Sequence, residues 1–370
     1  MEHSLAAEIL HSARKVADQA EVFSVSSRET SVHFEANKLK QVQTKENTTI
    51  ALRIFKGGRI GFAMVSGNPN VEALVNTAVE TSQFGPAANF QLSSSKNCHE
   101  VNVLDPGVEN IAMKEMAGLG YQLIARVREH NPNVICDVVV TRGRVSVHIV
   151  NSQGREVHYD KTPFSLSLEG VLVQDTDMLF VGDSESSCHL PASIDSLAND
   201  IVRQLDWAKE KASVPTKLLP VIFTPSGVAS AFLIPLAFAL NGRVVLEGAS
   251  PLKDKLGEQL FDKRLSMWDD ATIAYGLGSS PCDDEGVCSQ RLPLISSGTV
   301  SNFLYDLQTA GLAGTQSTGH GRRMPGTGQI RPAISALVID EGENPFESIL
   351  EDVKKVWLWS SLLVPNRAMF

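Results

Sequence analysis

Residues 49–63 constrain the fold of this chain more than any other stretch, because they describe two paired strands and the turn between them. Thr49–Phe55 alternates in the period-two pattern that is typical of a strand. Gly57–Gly58 then supplies a two-residue turn suited to antiparallel strands, and Ile60–Phe62 begins the return strand. The whole of Glu21–Ala63 is therefore predicted to be a meander of strands.

Helical spacing on both sides of this meander predicts an α+β fold, with helices packed on a largely antiparallel sheet. The predicted helices lie at the N-terminus and over Pro69–Thr81, Val108–His130 and Pro191–Lys211. We expect these elements to form an N-terminal domain over residues 1–214 that includes a central strand-rich part at about 134–175.

The second half of the chain has a different character. An apolar helix is predicted over Ser226–Leu240, and Gly and Pro become dense from Gly242 to Pro332, with little helical periodicity. We therefore predict an irregular, β-rich and barrel-like C-terminal domain over residues 215–370.

Composition excludes several classes of protein. The 370 residues carry a net charge of −9 and are 43% hydrophobic, which argues against disorder and against binding nucleic acid through a broad basic face. The longest apolar stretch, Val228–Leu240, contains a proline and is shorter than the roughly 20 residues that cross a bilayer. The N-terminus has no signal-peptide pattern, and five scattered cysteines are more typical of a reducing cytoplasm than of a disulfide framework. We expect a cytoplasmic protein that binds neither nucleic acid nor membrane.

Three motifs suggest chemistry, each with a simpler interpretation. His99–Glu100 is the only His-Glu pair, but it lacks the second histidine of a metalloprotease helix and is interpreted as a polar loop. Cys282–Cys288 encloses three carboxylates that could ligate a metal, although an acidic turn with incidental cysteines explains it as well. The loop Thr315–Arg323 combines hydroxyls, glycines and two arginines, which suits either an anion or peptide carboxylate, or a structural loop.

Several of these stretches, in this order and spacing, resemble the TldD/PmbA family. The similarity covers nearly the whole chain up to about Lys355. The matching segments are Glu21–Ala63, the "N-S-x-G" turn in Val150–Arg155, the "K-L-G-E … D-D" stretch in Gly242–Asp270, the "D-D-E-G" turn Asp283–Gly286, and Ser317–Arg323.

The resemblance implies a role in peptide hydrolysis. Members of this family are cytoplasmic zinc metallopeptidases in which a TldD-type and a PmbA-type (TldE) subunit act together on unfolded or extended peptides. In the TldD type, a helix of the second domain carries a His-Glu-x-x-x-His motif. Placed on this chain without a gap, the motif falls on Leu233, Ile234 and Phe238. None of these side chains can bind zinc or accept a proton from water, and we expect them to pack in a core.

The chain is therefore predicted to be a PmbA-type, noncatalytic subunit with no cofactor of its own. Zinc is expected in a TldD-like metallopeptidase partner, with self-association as the other option. Two alternatives stay open, namely a metallopeptidase active in its own right and a modulator of DNA gyrase. Candidate contacts to peptide or partner are Gly319, His320, Gly321, Arg322, Arg323, Asp284 and Glu285.

The C-terminal end departs from the family pattern. After Lys355 the expected glycine-rich strand is replaced by Val356–Leu363, which has no visible match and contains two of the four tryptophans. We therefore predict a truncated, incomplete C-terminal domain with exposed apolar surface.

Overall fold

The structure is a computed structural model that describes residues 2–94, 98–174, 177–209, 216, 218, 220–324, 326–352 and 357–359. The chain divides into two compact units. The first comprises Met1–Lys209, Asp270–Arg291 and Tyr305–Ala336, and the second comprises Glu210–Asp269, Leu292–Leu304 and Leu337–Phe370. The predicted domain boundary, between residues 214 and 215, lies outside the described residues.

The helices are short, and the described residues contain none long and apolar enough to cross a membrane. They are α1 (Glu2–Ala13), α2 (Val71–Ser82), α3 (Pro106–Asn110), α4 (Met113–His130), α5 (Asp195–Trp207), α6 (Pro225–Ala239), α7 (Gly242–Leu246), α8 (Leu307–Ala313) and α9 (Phe346–Asp352).

The strands of the first unit are much longer than those of the second. In chain order they are β1 (Gln19–Glu35), β2 (Lys38–Lys56), β3 (Arg59–Ser66), β4 (Ile135–Asn151), β5 (Glu156–Lys161), β6 (Phe164–Gln174), β7 (Asp177–Ser187), β8 (Val221–Phe223), β9 (Met267–Asp270), β10 (Arg291–Ser296), β11 (Thr299–Val300), β12 (Gly321–Arg323), β13 (Ile330–Pro332), β14 (Leu337–Ile339) and β15 (Trp357–Trp359).

A curled, half-barrel antiparallel sheet organises the first unit and confirms the predicted α+β class. Its strand order is β3-β2-β1-β4-β6-β7, with β5 paired to β4 beside β6. The predicted hairpin is present, because Gly57 and Gly58 have φ values of 57° and 72°, which glycine adopts readily.

Two pairs of helices, which we call the two helix layers, lie side by side on one face of this sheet. Helices α1 and α2 pack on the end of β1 that contains Ala20 and Val22, whereas α4 and α5 pack on the end that contains Val32 and Phe34. Part of the opposite face is also buried, where Phe23, Ala51 and Ile149 contact the segment that carries Cys282. The C-terminal half of β2 is consequently buried on both faces.

The structure corrects two predictions in this unit. The single helix expected over Val108–His130 is divided into α3 and α4, because Ile111 and Ala112 have extended backbone. The sequence predicts separate strands over Val134–Thr141 and Val145–Val150, but the structure has one continuous strand there, β4. Strand β7 had no counterpart among the predictions.

The second unit contains a four-stranded sheet of order β11-β10-β9-β14 and a separate parallel pair of β8 with β15. Helix α6 begins at Pro225 with Thr224 as its N-cap, where the Thr224 hydroxyl accepts a hydrogen bond from the Gly227 N–H. It lies beside β8, with the rings of Phe223 and Phe232 at 4.9 Å.

Candidate functional site

The "D-D-E-G" turn is a tight β-turn closed by its own first carboxylate. Cys282 and Cys288 face each other across the two short arms of the turn. Between them, the buried Asp283 side chain accepts hydrogen bonds from the N–H groups of Glu285 and Val287, both at 2.9 Å. Gly286 has a φ of 72°, a conformation that favours glycine. The local sequence thus determines the shape of the turn.

The glycine-arginine loop, residues 319–323, pairs with this turn through the main chain. The N–H of Gly321 donates to Asp283 Oδ2 at 2.8 Å, and the N–H of Arg323 donates to Asp284 Oδ2 at 2.7 Å. A Cβ atom on Gly321 would lie 2.5 Å from Glu285 Oε2, so only glycine allows this close approach. The two motifs are therefore parts of one structural element.

A buried ionic cluster, which we define as Glu21, Arg53, Glu285 and Arg323, joins this element to the sheet. The Arg53 guanidinium donates to Glu285 Oε1 at 2.5 Å and to Glu21 Oε2 at 3.0 Å. Arg323 donates to the other oxygen of Glu21 at 2.6 Å. All four side chains are at most 6% exposed. Because charges this deeply buried are costly unless paired, the cluster depends on all of its members.

Burial changes how these groups titrate. It raises the pKa of Glu285 to about 7, against the opposing effect of Arg53. Burial likewise raises the pKa of Asp283 well above its ordinary value, and the neighbouring Glu285 raises it further. The pKa of Arg323 is lowered, mainly by burial, while Glu21 opposes this change. The shift of Glu285 makes protonation of the cluster sensitive to pH near neutrality.

The "N-S-x-G" turn is held close to the same place. Asn151 Oδ1 accepts hydrogen bonds from the N–H groups of Gln153 and Arg155, which closes the turn between β4 and β5. The Arg155 side chain donates to the Gly286 carbonyl at 3.1 Å and to Cys98 Sγ at 2.8 Å. Four of the five segments of the family resemblance therefore converge on one region of the first unit, whereas Gly242–Asp270 lies almost wholly in the second unit.

A disulfide bond connects Cys98 to Cys288 in this region. The scattered cysteines had been interpreted as more typical of a reducing cytoplasm than of a disulfide framework, so this bond was not expected from the sequence. The two residues are 190 positions apart, so their proximity depends on the fold and leaves no local trace in the sequence. His99 and Glu100, immediately after Cys98, are exposed loop residues, as predicted.

The predicted contact residues come together, but most are inaccessible. Glu285 and His320 are buried, and Arg323 is engaged with Glu21. Arg322 and Asp284 form an ion pair at 3.5 Å and retain side-chain exposures of 19% and 17%. Solvent therefore reaches this pair rather than the whole loop.

Sequence reasoning did not single out Glu21 and Arg53. They are direct cross-strand partners in β1 and β2. A usable signal was present, since Arg53 is the one charged residue in the otherwise apolar run Ile50–Phe55. A charge in such a run is unfavourable unless a buried partner neutralises it.

The residues present do not fit a zinc ion. In the Cys282–Cys288 turn, Cys288 is in the disulfide, while Asp283 and Glu285 accept hydrogen bonds from backbone amides and Arg53. Burial raises the pKa of Cys282 to about 12, which disfavours the thiolate that a metal requires. Across the part of the chain that the structure describes, His, Cys, Asp and Glu nowhere form a group of three or more suited to a metal.

Helix α6 offers no ligands either, since it contains no His, Cys, Asp or Glu. We had expected Leu233, Ile234 and Phe238 to pack in a core. In the structure they are instead 39%, 78% and 50% exposed. Among the described elements of its unit, α6 packs mainly against two short ones, β8 and α7, which leave part of a helix that is apolar on all sides uncovered.

Comparison with known families supports the resemblance. Residues 20–82 match the family description "PmbA/TldA metallopeptidase domain 1", and residues 216–366 match "PmbA/TldA metallopeptidase C-terminal domain". The second match continues to residue 366, so the stretch 356–363, predicted to have no counterpart in the family, lies within it.

The chain is also similar to individual proteins and to solved structures. An uncharacterized protein of Methanocaldococcus jannaschii is 26% identical over 314 residues, which cover 82% of this chain and 71% of that protein. Metalloprotease PmbA of Escherichia coli O157:H7 is 29% identical over 46% of this chain and 38% of its own length. The crystal structure of TldE from Thermococcus kodakarensis has a TM-score of 0.88 at 22% identity, covering 96% of this chain and 82% of that chain.

Proposed function

Because the chain belongs to the PmbA/TldD metallopeptidase family, we propose that it is a noncatalytic, PmbA-type subunit of a cytoplasmic zinc metallopeptidase complex. The observation that carries the proposal is the composition of α6. At Leu233, Ile234 and Phe238, where the resemblance places the family's His-Glu-x-x-x-His motif, the chain has hydrocarbon side chains with no lone pair for a metal. Zinc would then be bound by a TldD-like partner, and the substrate would be an unfolded or extended peptide.

In this proposal the chain contributes binding and assembly. The Arg322–Asp284 pair, which joins the glycine-arginine loop to the "D-D-E-G" turn, is partly accessible and is our candidate for contact with a peptide or with the partner subunit. The buried ionic cluster behind it would hold the loop in one conformation.

Activity and metal content of the purified chain test the proposal. Alone, it should retain no stoichiometric zinc and should not cleave a fluorogenic unstructured peptide, whereas cleavage should appear when a zinc-loaded TldD-type subunit is added. Cleavage by the isolated chain, with zinc that is lost on replacing Cys282 and Cys288, would instead favour a metallopeptidase active in its own right. Gyrase modulation is the remaining alternative, and supercoiling by DNA gyrase should be unaffected by the chain.

The role of the accessible pair can be tested separately. Arg322→Ala should reduce co-assembly or peptide cleavage by the complex, while Arg264→Ala, an exposed arginine with a local ion pair, is the matched control and should not. Arg323→Ala is unsuitable for this purpose because Arg323 is buried and its loss would destabilise the fold. If Arg322→Ala behaves like the control, the loop is structural.

A further inference from the structure

Strand β7 is the outer edge of the large sheet, and part of that edge is open. The N–H and C=O of Gly182 point away from β6, as their hydrogen bonds to the side-chain amide of Gln204 show, at 3.0 Å each. The pairing of β6 with β7 has no register shift, so Phe180 and Met178 direct their N–H and C=O groups the same way. Within the described part of the chain, no residue bonds these four groups.

An apolar corner lies beside the open edge, on the sheet face opposite the helices. Ile135, Val171 and Phe180 are cross-strand neighbours in one row, and Val173 is opposite Met178 in the next row on that face. Four of these side chains are well exposed, with Ile135 at 46%, Val173 at 51%, Met178 at 62% and Phe180 at 42%. Exposed apolar side chains grouped in this way mark interaction sites more often than isolated ones do.

The charge around this edge determines what can bind there. The β6–β7 hairpin, residues 164–187, contains five carboxylates and no Lys, Arg or His. Two copies of this edge would therefore repel each other, and acidic residues of this kind normally prevent edge-to-edge pairing. A positively charged segment would instead be attracted.

We propose that the open edge of β7, at Met178 and Phe180, binds an extended peptide segment by strand addition. An antiparallel segment of three residues would form four main-chain hydrogen bonds with these two residues. Its first and third side chains would lie on the apolar corner, and its middle side chain would lie on the other face, diagonal to Asp177. The ligand is thus a segment with apolar, basic and apolar residues in succession. This site belongs to the first unit alone and does not require a metallopeptidase partner.

Gln204 sets the length of this site. Its side-chain amide forms hydrogen bonds with the N–H and the C=O of Gly182, as the main chain of a neighbouring strand would. The Ser184 N–H donates to the Asp183 side chain. The added strand is therefore limited to the end of β7 that precedes Gly182.

Fluorescence anisotropy of a labelled heptapeptide of alternating Val and Lys, titrated with the full chain, tests the proposal. The matched peptide of alternating Val and Glu should bind at least tenfold more weakly. Met178→Pro removes an outward N–H and one long side chain of the apolar corner without disturbing the pairing with β6, and should weaken binding by at least about fivefold, the value of one main-chain hydrogen bond. Phe180→Ser should weaken it too, whereas Leu39→Ser, at another site with 42% exposure, should not.

Hydrogen exchange on the unmodified chain provides a test that does not depend on how the variants fold. The Val/Lys peptide should slow exchange of the Met178 and Phe180 amides and leave those of β3, at the other edge, unchanged. Equal binding of the two peptides, full binding by Met178→Pro, or unchanged exchange at these amides would each overturn the proposal. A dimer that Met178→Pro dissociates would show that the edge pairs with a second copy instead.

Discussion

Replacing Arg53 with Met should destabilise the protein by about 3–5 kcal/mol at pH 8, the usual cost of removing one partner of a buried ion pair. Arg53 is 5% exposed and is hydrogen-bonded to two carboxylates, Glu21 and Glu285, that are 0% exposed. After the substitution, Glu21 keeps its bond to Arg323 and Glu285 keeps the N–H of Leu307. Neither bond replaces the lost positive charge between the two carboxylates.

The loss should depend on pH, which distinguishes a charge effect from a packing effect. The pKa of Glu285 is about 7, so at pH 5 this carboxyl group is already protonated in the folded state. Removing Arg53 then leaves one buried carboxylate rather than two. We therefore expect a clearly smaller loss of unfolding free energy at pH 5 than at pH 8.

Urea unfolding followed by circular dichroism measures both values. Arg126→Met is the matched control, because Arg126 is 51% exposed and its surface ion pairs should contribute less than about 1 kcal/mol. The double variant with Glu285→Gln should lose less than the sum of the two single losses. A loss below about 1 kcal/mol for Arg53→Met, or an equal loss at both pH values, would refute the reasoning.

Three other substitutions test features of the first unit. In urea melts, the stability of the unmodified protein should fall as the pH rises from 4.5 to 7, because over this range the folded protein keeps a proton on Glu285 that the unfolded chain has released. Glu285→Gln should remove this fall. Cys98→Ser should lower the unfolding free energy by up to about 5 kcal/mol, because the disulfide that it removes closes a long loop in the unfolded chain. Reduction of the disulfide with a thiol should have the same effect. An unchanged urea midpoint would contradict this prediction. Gly311→Ala should lower the melting temperature, because its Cβ would lie 1.8 Å from the Asn89 carbonyl oxygen, whereas Gly118→Ala, with open space around it, should raise it.

Local patterns predicted most of the elements of this fold. The meander from β1 to β3 and helices α2, α5 and α6 appear close to their predicted positions, because period and turn residues determine them locally. Strand β7 was missed because its sequence, Asp177–Ser187, is mostly polar and small, and only its position at the edge of the sheet makes it a strand.

The candidate site was predicted only in part, for a different reason. The turn Asp283–Gly286 and the loop 319–323 could be identified from their glycines and charges, but not their pairing, which joins segments far apart in the chain. The role of Arg53 depends on Glu285, which is 232 positions away. The exposure of α6 depends in the same way on what surrounds it, since an apolar helix alone predicts burial.

The length of β1 and β4 has a consequence for how the first unit unfolds. Each strand has 17 residues, and β1 contributes Ala20 and Val22 to one hydrophobic cluster and Val32 and Phe34 to the other. The two helix layers therefore have no boundary at which one could melt while the other stayed intact. Loss of either layer would remove the apolar support from strands that the other layer also needs, so the two layers should form a single cooperative unit.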